Sequence, residues 1–202
     1  MGLRQDVQIR HRASRWLLPA LLVIVVLALQ AGGDTARLAL QYDREMIAAG
    51  EVFRLLTGHI VHLGWPHLVL NVVGLLLVWF LVGSAHAWWR WLAIIAASAA
   101  IIDIGFWYLI PRLEWYVGLS GVLHGVLAAG VVGLWSSRRN EALILAIALV
   151  FKLLYESVIG PLPGSENTAG GIVITEAHLF GALGGGISAL IFVFGERLFA
   201  ET

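Results

Sequence analysis

A serine in a glycine-flanked turn and a distant histidine are the residues of this sequence best suited to chemistry. Ser120 lies between Gly118 and Gly121, and His178 follows 58 residues later. Each stands near the start of a long apolar run, so a hydroxyl nucleophile and an imidazole base are expected at similar depth in a membrane. This pair predicts cleavage of a peptide bond within the bilayer.

Neighbouring polar residues bear on how such a site would work. Glu176 precedes His178 by two positions, which is about 200° around a helix of 3.6 residues per turn. It is therefore expected to point away, and a Ser120–His178 dyad is predicted. His67 and Asn71 are four residues apart on one helix face and could form an oxyanion hole with the Ser120 N–H. The alternative is a polar pair that joins helices.

The composition predicts that these residues belong to a membrane protein. Of 202 residues, 59% are hydrophobic and 13% charged, and the mean hydropathy is +0.86. A helix needs ~20 apolar residues to cross a bilayer. We predict an all-α membrane protein with a six-helix bundle at 16–196, a basic cytoplasmic N-terminus at 1–15 and a short cytoplasmic tail at 197–202. The six predicted spans lie at 15–34, 67–90, 90–112, 114–138, from 141 onward, and 176–196.

The distribution of Lys and Arg predicts the orientation. With the N-terminus in the cytoplasm, eight arginines lie on that side and four on the other. Both termini are therefore expected inside. Residues 1–29 could instead be a cleaved signal peptide, although no clear small-residue cleavage site follows them.

Two loops are expected to contact the bundle on the outer side. In the loop at 32–66, Leu38, Tyr42 and Met46 recur every fourth residue, which predicts a short amphipathic helix on the membrane surface. The loop at 160–171 is rich in glycine and proline. It could cap the site above His178 or be an ordinary connector.

Small residues recur every fourth position in the fourth and sixth predicted spans. The fourth has Gly121, Gly125, Ala129 and Gly133, and the sixth has Ala177, Gly181, Gly185 and Ala189. Such stripes let membrane helices approach closely. If the two stripes face each other, Ser120 and His178 come together.

The chemistry-bearing motifs together resemble the rhomboid family of intramembrane serine proteases. The resemblance covers all six predicted spans in a consistent order. Its motifs are Phe53-Arg54, His62 with His67 and Asn71, Gly118 to Gly121, and Ala177-His178 with Gly181 and Gly185. It implies supporting roles for Arg54, His62, Gly118 and Gly121.

One position departs from the common rhomboid pattern. Many rhomboids carry tyrosine four residues after the serine, where this chain has His124. This feature resembles the rhombosortase branch, which implies a bacterial inner-membrane enzyme open to the periplasm. Its expected substrates are exported proteins with a C-terminal transmembrane sorting segment cut near small residues, and an amine-bearing lipid is a hypothetical acyl acceptor. A supporting role for His124 beside His178 is expected, since a buried imidazole needs partners.

Charged residues within the spans allow more than one interpretation. The resemblance makes the fifth span the gate that admits substrate, and it carries Lys152 and Glu156. Mutual neutralisation is favoured over substrate contact for this i, i+4 pair. Asp103 has no partner that the sequence identifies.

Other function classes fit less well. A metal-dependent membrane hydrolase would use the histidines, but the chain lacks His-Glu-x-x-His, and neither a metal nor another cofactor is predicted. An inactive rhomboid-like scaffold and a transporter are the remaining alternatives. Without cysteine, thiol catalysis is excluded, and the neutral charge argues against nucleic acid as a partner.

Overall fold

The computed structural model describes residues 15–200, with side chains as far as Glu196. Within that range the chain forms ten helices and two short strands. These elements are α1 Leu17–Ala31, α2 Gly33–Leu40, β1 Tyr42–Asp43, α3 Arg44–Ala48, α4 Arg54–Thr57, α5 Trp65–Val82, α6 Trp88–Leu109, β2 Trp115–Tyr116, α7 Ser120–Leu134, α8 Arg139–Val158, α9 Ser165–Ala169 and α10 Thr175–Ala200.

The six longest helices follow the six apolar runs in order. Of these, α5, α6 and α10 are long and apolar enough to cross a membrane, and α1 with α2, bent by 112°, is a fourth candidate. By contrast, α7 has only 15 residues and α8 carries several charges. The protein is a predominantly helical membrane protein. That all six long helices cross the membrane stays a prediction.

The centre of the bundle is the contact between α7 and α10. A Cβ on Gly121 would lie 2.8 Å from the carbonyl oxygen of Ala177, and one on Gly185 would overlap the Gly125 carbonyl. The predicted facing of the two small-residue stripes is confirmed at these positions. Gly133 is an exception, because it faces a loop histidine rather than α10.

Large side chains of α6 complete the core beside this contact. Ile94, Ile102 and Phe106 are fully buried and belong to the same apolar cluster as residues of α7 and α10. Many other leucines, valines and isoleucines face outward on the long helices. An apolar exterior around a packed interior is the arrangement that a lipid environment favours.

The loop between α1 and α5 differs from its prediction. No single amphipathic helix runs through 38–46, because α2 ends at Leu40 and α3 begins at Arg44. Between them, Tyr42 is buried and pairs antiparallel with Tyr116. The Asp43 side chain then accepts a hydrogen bond from Met46 N at 3.1 Å and caps α3. The four-residue recurrence was therefore a misleading pattern.

Arg54 holds this loop together. Its guanidinium donates to Glu51 Oε2 at 2.6 Å and to the carbonyls of Leu38 and Gln41, each at 3.0 Å. The side chain is buried. The loop between α1 and α5 is thereby tied to one buried cation.

The predicted terminal segments fall largely outside the described residues. Of the segment 1–15, only residue 15 is described; its carbonyl accepts a hydrogen bond from Trp79 Nε1 at 2.9 Å. At the other end, α10 continues to Ala200, past the predicted domain boundary at residue 196.

Candidate functional site

Ser120 is the first residue of α7, and a constrained turn sets its position. Gly118 has φ +124°, a conformation that side chains disfavour. Its N–H donates to the Gly58 carbonyl at 3.0 Å, and its carbonyl accepts from the Tyr116 hydroxyl at 2.8 Å. The turn is thus fixed from two sides before the helix begins.

His178 lies in the first turn of α10 and is buried. Its Nε2 is 3.0 Å from Ser120 Oγ. The close approach of α7 and α10 at Gly121 and Ala177 explains this distance, because larger residues there would force the helices apart. The structure therefore brings together the two residues predicted to act as nucleophile and base.

Glu156 of α8 also lies against the imidazole of His178. Glu156 Oε2 is 2.8 Å from His178 Nδ1, and its other oxygen is 2.5 Å from Lys152 Nζ. The predicted pairing of Lys152 with Glu156 is confirmed. Glu176, the carboxylate that the sequence suggested, is exposed as expected. The contact of Glu156 with His178 was not predicted, because the two residues are 22 positions apart and Glu156 already had a partner on its own helix.

His124 lies one turn after Ser120 and stacks on His178. The two ring centroids are 4.2 Å apart with an interplanar angle of 21°. His124 Nδ1 is 2.7 Å from the Ser120 carbonyl oxygen. The residue that occupies the rhomboid tyrosine position is thus in contact with the predicted base, and its supporting role stays a prediction.

A cavity of about 490 Å³ opens beside Ser120. Polar side chains that line it include the serine, three histidines and the charged pair of α8, and apolar side chains of α5 and α7 line it as well. Residues of the loop at 160–171, including Leu162 and Ser165, also line it, as does Ile172 just beyond. The lining residues that matter below are His67, Asn71, Ser120, His124, Lys152, Glu156 and His178.

His67 and Asn71 of α5 both line this cavity. Asn71 Nδ2 donates to the His67 carbonyl at 3.0 Å, which leaves its second hydrogen free of that bond. Asn71 Oδ1 is buried and has no hydrogen-bond partner among the described residues. A Cβ on Gly118 would lie 2.8 Å from His67 Cε1, so the turn before Ser120 touches this imidazole. Their oxyanion role stays a prediction.

His62 packs behind His67 and lies outside the cavity. The two ring centroids are 5.1 Å apart in an edge contact. Burial, with a smaller effect of His67, lowers the pKa of His62 to about 3. Neither ring nitrogen has a hydrogen-bond partner within residues 15–196. His62 therefore packs in the loop behind His67, and its supporting role stays a prediction.

The structure gives Asp103 the partner that the sequence did not. Asp103 Oδ1 is 3.2 Å from His59 Nε2, and the His59 ring makes an edge contact with Tyr116. Tyr116 in turn holds the Gly118 carbonyl. A buried polar chain thus leads from α6 to the turn before Ser120. His59 and Asp103 are polar residues in apolar stretches of the sequence, and this shared property was the signal that could have indicated the pair.

His124, Glu156 and His178 could also approach a metal ion. One ligand atom from each lies within 4.8 Å of the other two. Two imidazoles and a carboxylate form a set that zinc uses in hydrolases. However, the Lys152 ammonium contacts the same carboxylate, and a fixed positive charge at that place opposes binding of a cation.

The family comparison agrees with the motifs found in the sequence. Residues 49–194 match the Rhomboid domain, and this region contains every residue of the site described above. No curated protein sequence matches the chain. Because the matched region covers most of the chain, the protein belongs to the rhomboid family, whose members are generally intramembrane serine proteases.

Proposed function

We propose that this protein is an intramembrane serine endopeptidase with Ser120 as nucleophile and His178 as general base. The observation that carries the proposal is the 3.0 Å distance from Ser120 Oγ to His178 Nε2 beside a cavity of about 490 Å³. A serine hydroxyl is a weak nucleophile until a neighbouring base accepts its proton. An imidazole at this distance meets that requirement.

The chemistry would proceed in two steps. Ser120 Oγ forms a bond to the substrate carbonyl carbon while its proton passes to His178 Nε2. The carbon–nitrogen bond then breaks, and the imidazolium gives this proton to the leaving amine. Water next attacks the ester and loses a proton to His178, which passes it to Ser120 Oγ as the carbon–oxygen bond breaks and the new carboxylic acid leaves. His67, Asn71 and the Ser120 N–H would stabilise the oxyanion in both steps, each donor being worth ~3 kcal/mol in comparable sites.

The proposed substrate is the C-terminal transmembrane segment of an exported protein, cut near small or glycine residues. Support comes from the lining of the cavity, which includes apolar side chains of α5 and α7 as well as Ser120. A substrate helix could lie there after unwinding near Ser120. Glycine favours unwinding, because it is about 1 kcal/mol less favourable than alanine in a helix interior, and a small side chain adds little bulk beside Ser120.

The acyl-enzyme has a second possible fate, which the resemblance to rhombosortases suggests. An amine-bearing lipid headgroup would replace water as the attacking group and leave the product anchored to the membrane by an amide. We place the enzyme in the bacterial inner membrane, with both termini in the cytoplasm and the site open to the periplasm. The bias of arginines toward the side of the membrane that holds both termini supports this orientation.

Mass spectrometry of secreted proteins tests this function in cells. The C-termini of exported proteins from the parent strain should be shortened, or should carry an added amine-bearing group. A strain with Ser120→Ala should retain full-length, membrane-bound forms of the same proteins. Identical C-termini in the two strains would contradict the proposal and favour an inactive rhomboid-like scaffold.

A metal-dependent hydrolase is a second candidate, favoured by the convergence of His124, Glu156 and His178. Purified protein should then contain stoichiometric metal, and chelators should stop cleavage. The serine mechanism predicts cleavage that chelators leave unchanged. The Lys152 ammonium at 2.5 Å from Glu156 supports the serine mechanism.

A further inference from the structure

The serine mechanism described above gives no role to the charged side chain of Glu156. Its exposed fraction is 5%, although it stands on a helix with an apolar exterior. Lys152 binds only one carboxylate oxygen, Oε1. The other oxygen, Oε2, is 2.8 Å from His178 Nδ1. A pair that served only to neutralise its own charges would not require the second contact.

We propose that Glu156 is the positioning residue of the catalytic imidazole, which makes the site a Ser120–His178–Glu156 triad. This inference rests on the proposed function. The carboxylate touches the base and not the substrate, and it acts by fixing which ring nitrogen carries the proton. The helix predicted to gate the site therefore also supplies part of its machinery.

The hydrogen-bonding capacity of the groups determines the tautomer. An ionised carboxylate only accepts hydrogen bonds, so the 2.8 Å contact requires a hydrogen on His178 Nδ1. The neutral ring then has its lone pair on Nε2, directed at Ser120 Oγ. When Nε2 takes the serine proton, the adjacent negative charge stabilises the imidazolium, as the aspartate does in soluble serine proteases.

The other charged or titratable neighbours of His178 do not provide this function. His124 stacks on the face of the ring, and its Nδ1 is engaged by the Ser120 carbonyl. Glu176 on the same helix is exposed. Lys152 Nζ is 3.4 Å from His178 Nδ1, but it is a donor and cannot accept the ring proton. His67 lines the same cavity, but its Nδ1 accepts from the Leu63 N–H at 3.4 Å.

Lys152 allows a specific test, because its ammonium determines which end of an amide side chain at position 156 faces His178. In Glu156→Gln, the amide oxygen should face the Lys152 ammonium, which leaves the NH₂ group toward His178 Nδ1. That group donates, so the proton moves to Nε2 and Ser120 loses its acceptor. In the double variant Glu156→Gln with Lys152→Met, the amide can turn, and its oxygen can again accept from Nδ1–H.

The rate of labelling by a fluorophosphonate probe measures the effect in purified, detergent-solubilised protein. Glu156→Gln should lower the limiting rate at saturating probe by about 10³-fold to 10⁴-fold, with the half-saturating probe concentration unchanged within two-fold. Adding Lys152→Met should recover at least about tenfold of that loss. A ¹⁵N spectrum of His178 should show Nδ1–H in the wild type and Nε2–H in Glu156→Gln.

A charge-free control separates this role from mere neutralisation. Glu156→Met with Lys152→Met removes both charges, so a purely structural ion pair predicts labelling within three-fold of wild type. The triad predicts a loss of at least about 100-fold at unchanged thermal stability. Labelling near the wild-type rate would overturn the inference, and so would Nε2–H in the wild-type spectrum, which can be read even if the double variant does not fold. Labelling that survives Ser120→Ala would instead overturn the proposed function, whatever Glu156 does.

Discussion

At the scale of single residues, Gly118 carries two constraints at once. Its φ of +124° disfavours any side chain, and a Cβ would lie 2.8 Å from His67 Cε1. Strain of this kind costs about 1–3 kcal/mol. The contact with His67 is specific to the site, because a new Cβ would displace an imidazole that we assign to the oxyanion hole.

Replacement of Gly118 by alanine should therefore lower both stability and reactivity. We expect a lower unfolding temperature and at least a tenfold slower fluorophosphonate labelling. Gly50→Ala is the matched control, since Gly50 has φ +107° with nothing within 4 Å of a new Cβ. It should lose stability alone. Equal labelling rates for the two variants would show that the contact with His67 is unimportant.

His62 predicts a dependence of stability on pH. Its folded pKa of about 3 lies below the ordinary value of 6.5, so the folded state takes up fewer protons than the unfolded state. Its contribution is complete above pH 6.5 and falls as the pH drops toward 3. Between pH 7 and pH 5 the loss should be about 2 kcal/mol.

His62→Phe keeps a ring of similar size but cannot take up a proton. Thermal unfolding in detergent at pH 7 and pH 5 should show a smaller difference for this variant than for the wild type. An unchanged difference would mean that His62 is not the buried neutral imidazole described above.

At the scale of elements, the interface of α7 and α10 determines the distance between Ser120 and His178. The spacing of glycine and alanine predicted this interface, because a stripe of small residues repeats with the helical period and needs no knowledge of the rest of the fold. Glu156 and the His59–Asp103 pair could not be predicted in the same way. Their partners lie on other elements, 22 and 44 residues away, and helical periodicity relates only residues of one helix.

The same limit explains the misassigned loop. Leu38, Tyr42 and Met46 have helical spacing, but the backbone of Tyr42 pairs with β2, a partner 74 residues later in the chain. Local pattern favoured a helix, and this long-range pairing with the cap at Asp43 overrode it. The order of the long helices was predictable because length and apolar character are local properties.

Two glycines of α10 test the close helix contact with opposite expected signs. A Cβ on Gly181 would overlap the Gly121 carbonyl, whereas one on Gly195 meets nothing within 4 Å. Gly181→Ala should lower the unfolding temperature and slow labelling of Ser120. Gly195→Ala should be neutral or stabilising by up to about 1 kcal/mol, since alanine is the better helix former. Equal effects would contradict the described packing.

At the scale of the whole molecule, the orientation in the membrane determines which compartment supplies water to the site. The loop after α7 and the loop after α8 should lie on opposite sides of the bilayer. The chain has no cysteine, so single cysteines report their compartment without background. Exposed positions suited to this purpose are Ser137 and Asn167.

In intact cells, an impermeant maleimide should label Asn167→Cys directly. Ser137→Cys should react only after the membrane is opened. The reverse pattern would invert the proposed topology and place Ser120 near the cytoplasm.

The most direct test of the account is the site and stoichiometry of covalent labelling by a fluorophosphonate. Peptide mass spectrometry of saturated wild-type protein should place one adduct per chain on Ser120. The variant His178→Ala should unfold within a few degrees of the wild-type temperature. In the time that saturates the wild type, it should form no adduct on Ser120. An adduct on another residue, or undiminished labelling of Ser120 without His178, would contradict the claim that these two side chains form the catalytic pair.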